Sequence, residues 1–173
     1  MSINLTFVST LPDPSAFQAL MREYYQVMID KVTAIGGPAP SAMELAADTL
    51  AHMDDLLPPN GRTLLAIDDN GTLVGCGVIR KIRPDAAELK RMYVRPSAQG
   101  TGLGRRLFEM RVTEAQRMGC TTLYADTVKG NRAMLSMYEK YGFSYISRYP
   151  ENPNSAELDP YLVYLERKLP KQG

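Results

Sequence analysis

The spacing of apolar residues along the chain switches between a period near two and one near 3.6, and each switch marks an element boundary. Residues 3–9 alternate and contain β-formers, which predicts a first strand. Asp13-Pro14 signals a helix start, and Phe17, Leu20, Tyr24, Val27 and Met28 fall at helical spacing across residues 15–35. Gly36-Gly37-Pro38 stops that helix. A second begins at Ser41, where Ser41 and Glu44 fit a capping box, and ends before Pro58-Pro59-Asn60-Gly61. The period then shortens. Residues 63–67 and 73–79 flank the turn Asp69-Asn70-Gly71 and predict a β-hairpin, followed by a strand at 87–94. Beyond them the pattern predicts a helix over 102–118, a strand over 121–127, a helix over 131–141, and strands over 143–149 and 161–167.

This order mixes antiparallel hairpins with one right-handed βαβ crossover. It predicts an α/β (α+β) fold, with a single mixed, mostly antiparallel twisted sheet of about seven strands and four helices. On a helical wheel of the 102–118 segment, Arg105, Arg106, Glu109, Thr113, Gln116 and Arg117 share one arc of about 120°. Apolar side chains fill the remainder, with Arg111 and Glu114 intruding. So broad an apolar face suits a helix lying on a sheet. No repeat, low-complexity tract or linker interrupts the pattern, so residues 1–173 read as one domain.

Composition narrows the function classes. Twenty basic residues against nineteen acidic ones leave a net charge of +1, which argues against a nucleic-acid surface or a polybasic membrane anchor. An anionic ligand must therefore be held by a local site. The N-terminus lacks a basic leader and no apolar run approaches ~18 residues, so a secreted or membrane-spanning chain is not indicated. Cys76 and Cys120 stand in apolar contexts outside any metal or redox spacing, which suits buried thiols in a reducing cytoplasm. His52, the only histidine, has no companion ligand, so neither a metal site nor a histidine-based triad is expected.

The strongest chemical signal is Gln99-Gly100-Thr101-Gly102-Leu103-Gly104, which opens into a helix. Backbone free of side chains can approach a phosphate closely. The N–H groups of the first helical turn then face it, with the positive end of the helix dipole behind them. Arg105 and Arg106 add charge at that end. A Walker loop would need Gly-Lys-Ser/Thr here, and a dinucleotide fingerprint would need its third glycine one place later. A methyltransferase-type GxGxG loop fits better, with Asp126 about twenty positions on, but it should leave its strand without a turn such as that at Pro96. The chain beyond Gly104 is also too short for the remaining units of that sheet.

The stretch from Leu89 to Phe143 resembles the coenzyme-binding core of the GNAT superfamily of N-acetyltransferases. The family pattern is a strand, then Arg/Gln-x-x-Gly-x-Gly/Ala, then a helix. Here it is met by Met92-Tyr93-Val94 followed by Gln99 to Gly104. A second block, Asn131 through Tyr138 to Gly142-Phe143, is similar to the family's Asn…Tyr-x-x-x-Gly-Phe segment. Both blocks occur in the expected order, and the element string outside them also fits.

The resemblance implies that acetyl-CoA is the co-substrate and that no metal is needed. It implies that the amides of Gln99, Gly100, Thr101, Gly102, Leu103, Gly104 and Arg105 bind the pyrophosphate. It further implies that Met92, Tyr93 and Val94 hydrogen-bond the pantetheine arm as if it were an added strand, with Asn131 contacting the arm or lying beside it. The family's bulged strand would splay from the next to leave a V-shaped slot. An N–H near Met92 or Tyr93 would then stabilise the developing oxyanion.

The implied reaction is direct attack of a primary amine within a ternary complex, with no covalent enzyme intermediate. Tyr138 is the candidate general acid for the departing thiolate, although Met134, Tyr138 and Tyr141 also form a helical stripe that suits a core. Glu88 is the candidate base; its bland alternative is an exposed strand carboxylate paired with Lys90 or Lys81. Asp126 is the reserve base or the anchor of the amine. The first two helices and the segment before the last strand should build the acceptor site, which makes Arg22, Tyr24, Tyr25, Tyr149 and Asn152 specificity candidates. No acidic run suggests recognition of a basic protein tail, so a small-molecule amine is the expected acceptor. A protein lysine or N-terminal acetyltransferase and a non-catalytic acyl-CoA-binding module are the rival readings. Nothing in the sequence requires the homodimer that occurs in some relatives.

Overall fold

The computed structural model describes residues 1–171 and contains one seven-stranded sheet in the order β1-β2-β3-β4-β5-β7-β6. The expected domain end at residue 173 lies outside the described residues. The strands are β1 Ile3–Val8, β2 Gly61–Asp68, β3 Leu73–Arg83, β4 Ala86–Val94, β5 Thr122–Val128, β6 Ser144–Ile146 and β7 Leu162–Lys168. Four helices accompany them: α1 Pro14–Ala34, α2 Ala42–Ala51, α3 Leu103–Arg117 and α4 Arg132–Lys140. Every neighbouring pair is antiparallel except β4 and β5, which flank the α3 crossover.

The local rules behind these boundaries are visible. Asp13 caps α1 by accepting from the Ala16 amide, and Ser41 caps α2 by accepting from the Glu44 amide. Alternation in β2 separates the two faces, and a register shift opposite Ala66 and Ile67 moves Val74 of β3 to the opposite face from Cys76 and Val78. Leu64, Ala66 and Val74 pack with Leu103 and Leu107 of α3, whereas Leu65, Cys76 and Val78 pack with Phe17, Leu20 and Met21 of α1. The sheet is thus covered on both sides, α1 and α2 on one face and α3 and α4 on the other. Among the described residues no helix is long and apolar enough to cross a membrane.

One predicted strand is corrected. Residues 143–149 were expected to be extended throughout, but β6 ends at Ile146. Beyond it Arg148 turns to the Asp159 carboxylate at 2.6 Å, and Tyr149 folds back onto Tyr124 with ring centroids 4.7 Å apart. These side-chain interactions replace the edge ladder that the alternating pattern suggested.

Candidate active site

The parallel pairing of β4 with β5 covers only Ala86 to Glu88 against Thr122 to Tyr124. Past Glu88 the strands part, and the slot between them opens into a cleft of about 330 Å³. A bulge in β4 sets the divergence. Cys76 faces Tyr93 and Val78 faces Lys90, so Gly77 alone lies opposite both Arg91 and Met92. Arg91 adopts φ +48°, the only non-glycine residue described in the left-handed region.

Such a bulge strands backbone carbonyls, and buried side chains satisfy them. Arg111 of α3 is wholly buried, and its guanidinium donates to Val78 O at 3.1 Å, Lys90 O at 3.3 Å and Leu107 O at 3.2 Å. It reaches them only because residue 77 is glycine. A Cβ there would lie 2.6 Å from Arg111 Nε. The Cys76 thiol donates to Arg91 O at 3.2 Å, and burial pushes its pKa up to about 12, so it remains a protonated donor. The intruder on the predicted apolar face of α3 is therefore the residue that braces the slot. Its misfit with the helix pattern was the available signal; its partners on two strands were not readable.

At the mouth of the slot, the β4–α3 loop holds Gly100 at φ +78° and Gly102 at φ +81°, with open space where a side chain would stand on either. Gly102 is the N-cap of α3 and offers no side-chain cap, and the first turn carries no acidic residue. The helix therefore presents uncompensated amides at its positive end. Gly104 is already helical and its Cβ position meets only the tip of Met137, so close backbone approach is a property of Gly100 and Gly102. Arg105 is exposed at that end beside Glu109, whereas Arg106 turns away to Ile3 O at 3.4 Å. The loop, the uncapped helix and the unpaired edge of β4 together fit a long ligand with a pyrophosphate at one end.

The cleft brings together Met92, Tyr93, Val94, Gln99, Asp126, Asn131 and Tyr138. Asn131 is buried and donates from Nδ2 to Thr127 Oγ1 at 2.9 Å. The Tyr138 ring packs edge-on against Phe108 and Phe143 at 5.7 and 5.0 Å, yet the residue lines the cleft and its hydroxyl makes no hydrogen bond among the described residues. Core packing and access to the slot thus coexist in one side chain. Burial pushes the phenol up to about 12.

Asp126 Oδ2 accepts from Asn152 Nδ2 at 2.7 Å and from Asn154 Nδ2 at 3.1 Å. Burial lifts its carboxyl above the ordinary carboxylate range, against the opposing pull of Lys90 and the Asn152 amide. The segment carrying both asparagines is tied to β3 through Arg80 Nη2, which donates to Glu151 O at 3.0 Å, and through the Arg83–Glu151 ion pair.

Glu88 departs from expectation. It is neither exposed nor part of the cleft lining; it is wholly buried, accepting from Arg80 Nε at 2.7 Å and from the Tyr149 hydroxyl at 2.5 Å. Lys90 stands 3.9 Å away, and Lys81 instead points to Met118 O at 3.5 Å. Among the acceptor candidates Tyr24 and Tyr25 line the cleft, Tyr149 and Asn152 hold the two carboxylates, and Arg22 is exposed outside it. Sequence reasoning missed Lys31, Arg91 and Asn154, which also line it.

Comparison with known proteins agrees with this geometry. The profile of the Acetyltransferase (GNAT) family matches residues 18–143. IAA acetyltransferase of Azospirillum brasilense is 32% identical over 167 residues, covering 96% of this chain and 99% of its own. An uncharacterized N-acetyltransferase of Schizosaccharomyces pombe is 28% identical over 172 residues, covering 98% and 97%. Among solved structures, the PaiA N-acetyltransferase of Thermoplasma acidophilum, in complex with coenzyme A, superposes with a TM-score of 0.71 at 18% identity, covering 97% of this chain and 99% of that one. The chain belongs to the GNAT family of acetyltransferases and is an acyltransferase.

Proposed function

We propose that the protein transfers the acetyl group of acetyl-CoA to the primary amine of a small molecule, by direct attack within the β4–β5 slot, and that residues 1–173 act as one catalytic unit. The observation that carries this reading is the lining of the slot, which holds Asp126 and Tyr138 in one cleft of about 330 Å³ beneath the tyrosines of α1. The likeness to IAA acetyltransferase supports a small-molecule acceptor. The two free, buried thiols support a cytoplasmic setting.

The residues present fit acetyl-CoA. The amides from Gln99 to Arg105 hold its pyrophosphate, the edge of Met92, Tyr93 and Val94 receives the pantetheine, and Asn131 lies beside the arm. Bound there, acetyl-CoA supplies an activated acyl group. An N–H of Met92 or Tyr93 polarises the carbonyl.

Asp126, with its raised pKa, takes the proton that the amine nitrogen sheds as the new C–N bond forms. The Tyr138 hydroxyl donates a proton to the sulfur as the C–S bond breaks. We assign Glu88 a positioning role, because it fixes Arg80 and Tyr149 behind the cleft rather than lining it.

Coenzyme A release, followed with a thiol reagent across small amines and peptides, tests the reading. Turnover confined to small amines is expected. Turnover confined to peptides, or coenzyme binding with no turnover on any acceptor, would overturn it.

A further inference from the structure

Arg91 has a donor with nowhere to go. Its Nε donates to the Tyr25 hydroxyl at 2.9 Å, and that hydroxyl sits 2.9 Å from Thr49 Oγ1, so α1 and α2 hold the guanidinium in place. Its Nη1 is buried without a hydrogen-bond partner among the described residues, and the residue lines the cleft. Among the described residues no carboxylate lies within ion-pair distance of it. A buried cationic donor left unpaired is costly, and such groups ordinarily find an anion. Arg91 also occupies the left-handed backbone position at the bulge, where a side chain is disfavoured and a glycine would relieve the strain.

The surroundings point the same way. Lys31, Lys90, Arg91 and Arg111 line the cleft against the single carboxylate of Asp126, although the whole chain carries a net charge of only +1. Arg111 gives its Nε and Nη1 to backbone carbonyls and is wholly buried, so its Nη2, also without a partner among the described residues, sits deeper than the Arg91 guanidinium. Lys90 lies 3.9 Å from Glu88. Arg91 is therefore the cation best placed to receive a ligand's charge on the face covered by α1. Tyr24, Tyr25 and Met28 line the same cleft and supply apolar wall.

We propose that the acceptor carries a carboxylate beside its amine, as an amino acid does, and that Arg91 with Lys31 receives that carboxylate while Asp126 faces the amine. This rests on the acceptor reading above and narrows it to zwitterionic amines. A charge-assisted contact from Arg91 fixes one end of the acceptor, so that the nitrogen is presented to the slot in one orientation.

The test separates this subsite from catalysis by measuring binding. N-acetyl amino acids and their decarboxylated counterparts, the N-acetylamines, are titrated calorimetrically into the coenzyme A-saturated protein and into its Arg91→Gln and Arg91→Lys variants. For at least one pair the acid is expected to bind about tenfold or more tightly than its counterpart, the usual worth of a hydrogen bond to a charged group. Arg91→Gln should erase that preference, Arg91→Lys should restore part of it, and neither should change the affinity for coenzyme A. The proposal is overturned if no acid outbinds its counterpart, if the preference survives Arg91→Gln, or if the variant loses coenzyme affinity instead. Failure of every amine to release coenzyme A would count against the transfer reaction alone, because the binding preference is measured without turnover.

Discussion

Replacing Gly77 by alanine should reveal how tightly the slot is braced. The new Cβ would lie 2.6 Å from Arg111 Nε, 2.8 Å from Cδ and 3.1 Å from Cζ, whereas carbon contacts settle near ~3.5–4.0 Å. Arg111 cannot retreat, since it is wholly buried and pinned to carbonyls of β3, β4 and its own helix. Overpacking of this kind costs about 1–3 kcal/mol. Loosening one of the carbonyl contacts leaves a buried acceptor unsatisfied, adding about 1–3 kcal/mol.

Arg111→Ala removes the obstruction. In that background Gly77→Ala should cost almost nothing, or even stabilise β3 by the roughly 0.5–1 kcal/mol that separates alanine from glycine inside a strand. Urea unfolding of wild type, both single variants and the double variant gives the coupling. A coupling energy of about 1–3 kcal/mol with unchanged m-values is expected. Additivity within about 0.5 kcal/mol would show that the two residues do not share space as described, and would refute the bracing argument.

Three further outcomes follow from the same geometry. Gly102→Ala forces a side chain onto a φ of +81°, a strain of about 1–2 kcal/mol that the loop relieves by turning its amides away. Coenzyme A affinity by calorimetry should therefore fall roughly 5- to 30-fold, and an unchanged affinity would remove the loop from the coenzyme site. Tyr138→Phe should lower kcat by about 10²-fold. With the phenol pushed up to about 12, the wild-type pH–rate profile should show no alkaline limb from this residue below pH about 10, and a Tyr138-dependent limb near neutrality would contradict the assignment. Because burial raises the Asp126 pKa, the unprotonated base is lost as pH falls through a value above the ordinary carboxylate range. kcat/KM should fall on that acidic side; Asp126→Asn should abolish the limb and Glu88→Gln should keep it, and the reverse pattern would transfer the base role to Glu88.

The elements were legible where local rules act alone. Helix caps at Asp13 and Ser41, the hairpin turn at Asp69 to Gly71 and the alternation in β2 all follow from neighbours in sequence. β6 fell short because Arg148 and Tyr149 prefer partners far along the chain to an edge ladder. In the site, the glycine loop and Tyr138 were readable as motifs, since anion cradles and helix periodicity are local. The fate of Glu88 was not. A carboxylate on a strand looks exposed until Arg80 and Tyr149 close over it from β3 and from the segment before β7. Arg91 was hidden for a related reason: a bulge reassigns the face of a residue, and its register depends on Gly77 and Arg111 across the strand pair.

The central claim is that an amine and acetyl-CoA meet in the β4–β5 slot and react directly. Initial rates of coenzyme A release with both substrates varied, read beside the mass of protein incubated with acetyl-CoA alone, test it most directly. Intersecting double-reciprocal lines, an N-acetylated small amine as product and no acetyl adduct on the protein are predicted. Parallel lines accompanied by an acetylated protein would contradict it.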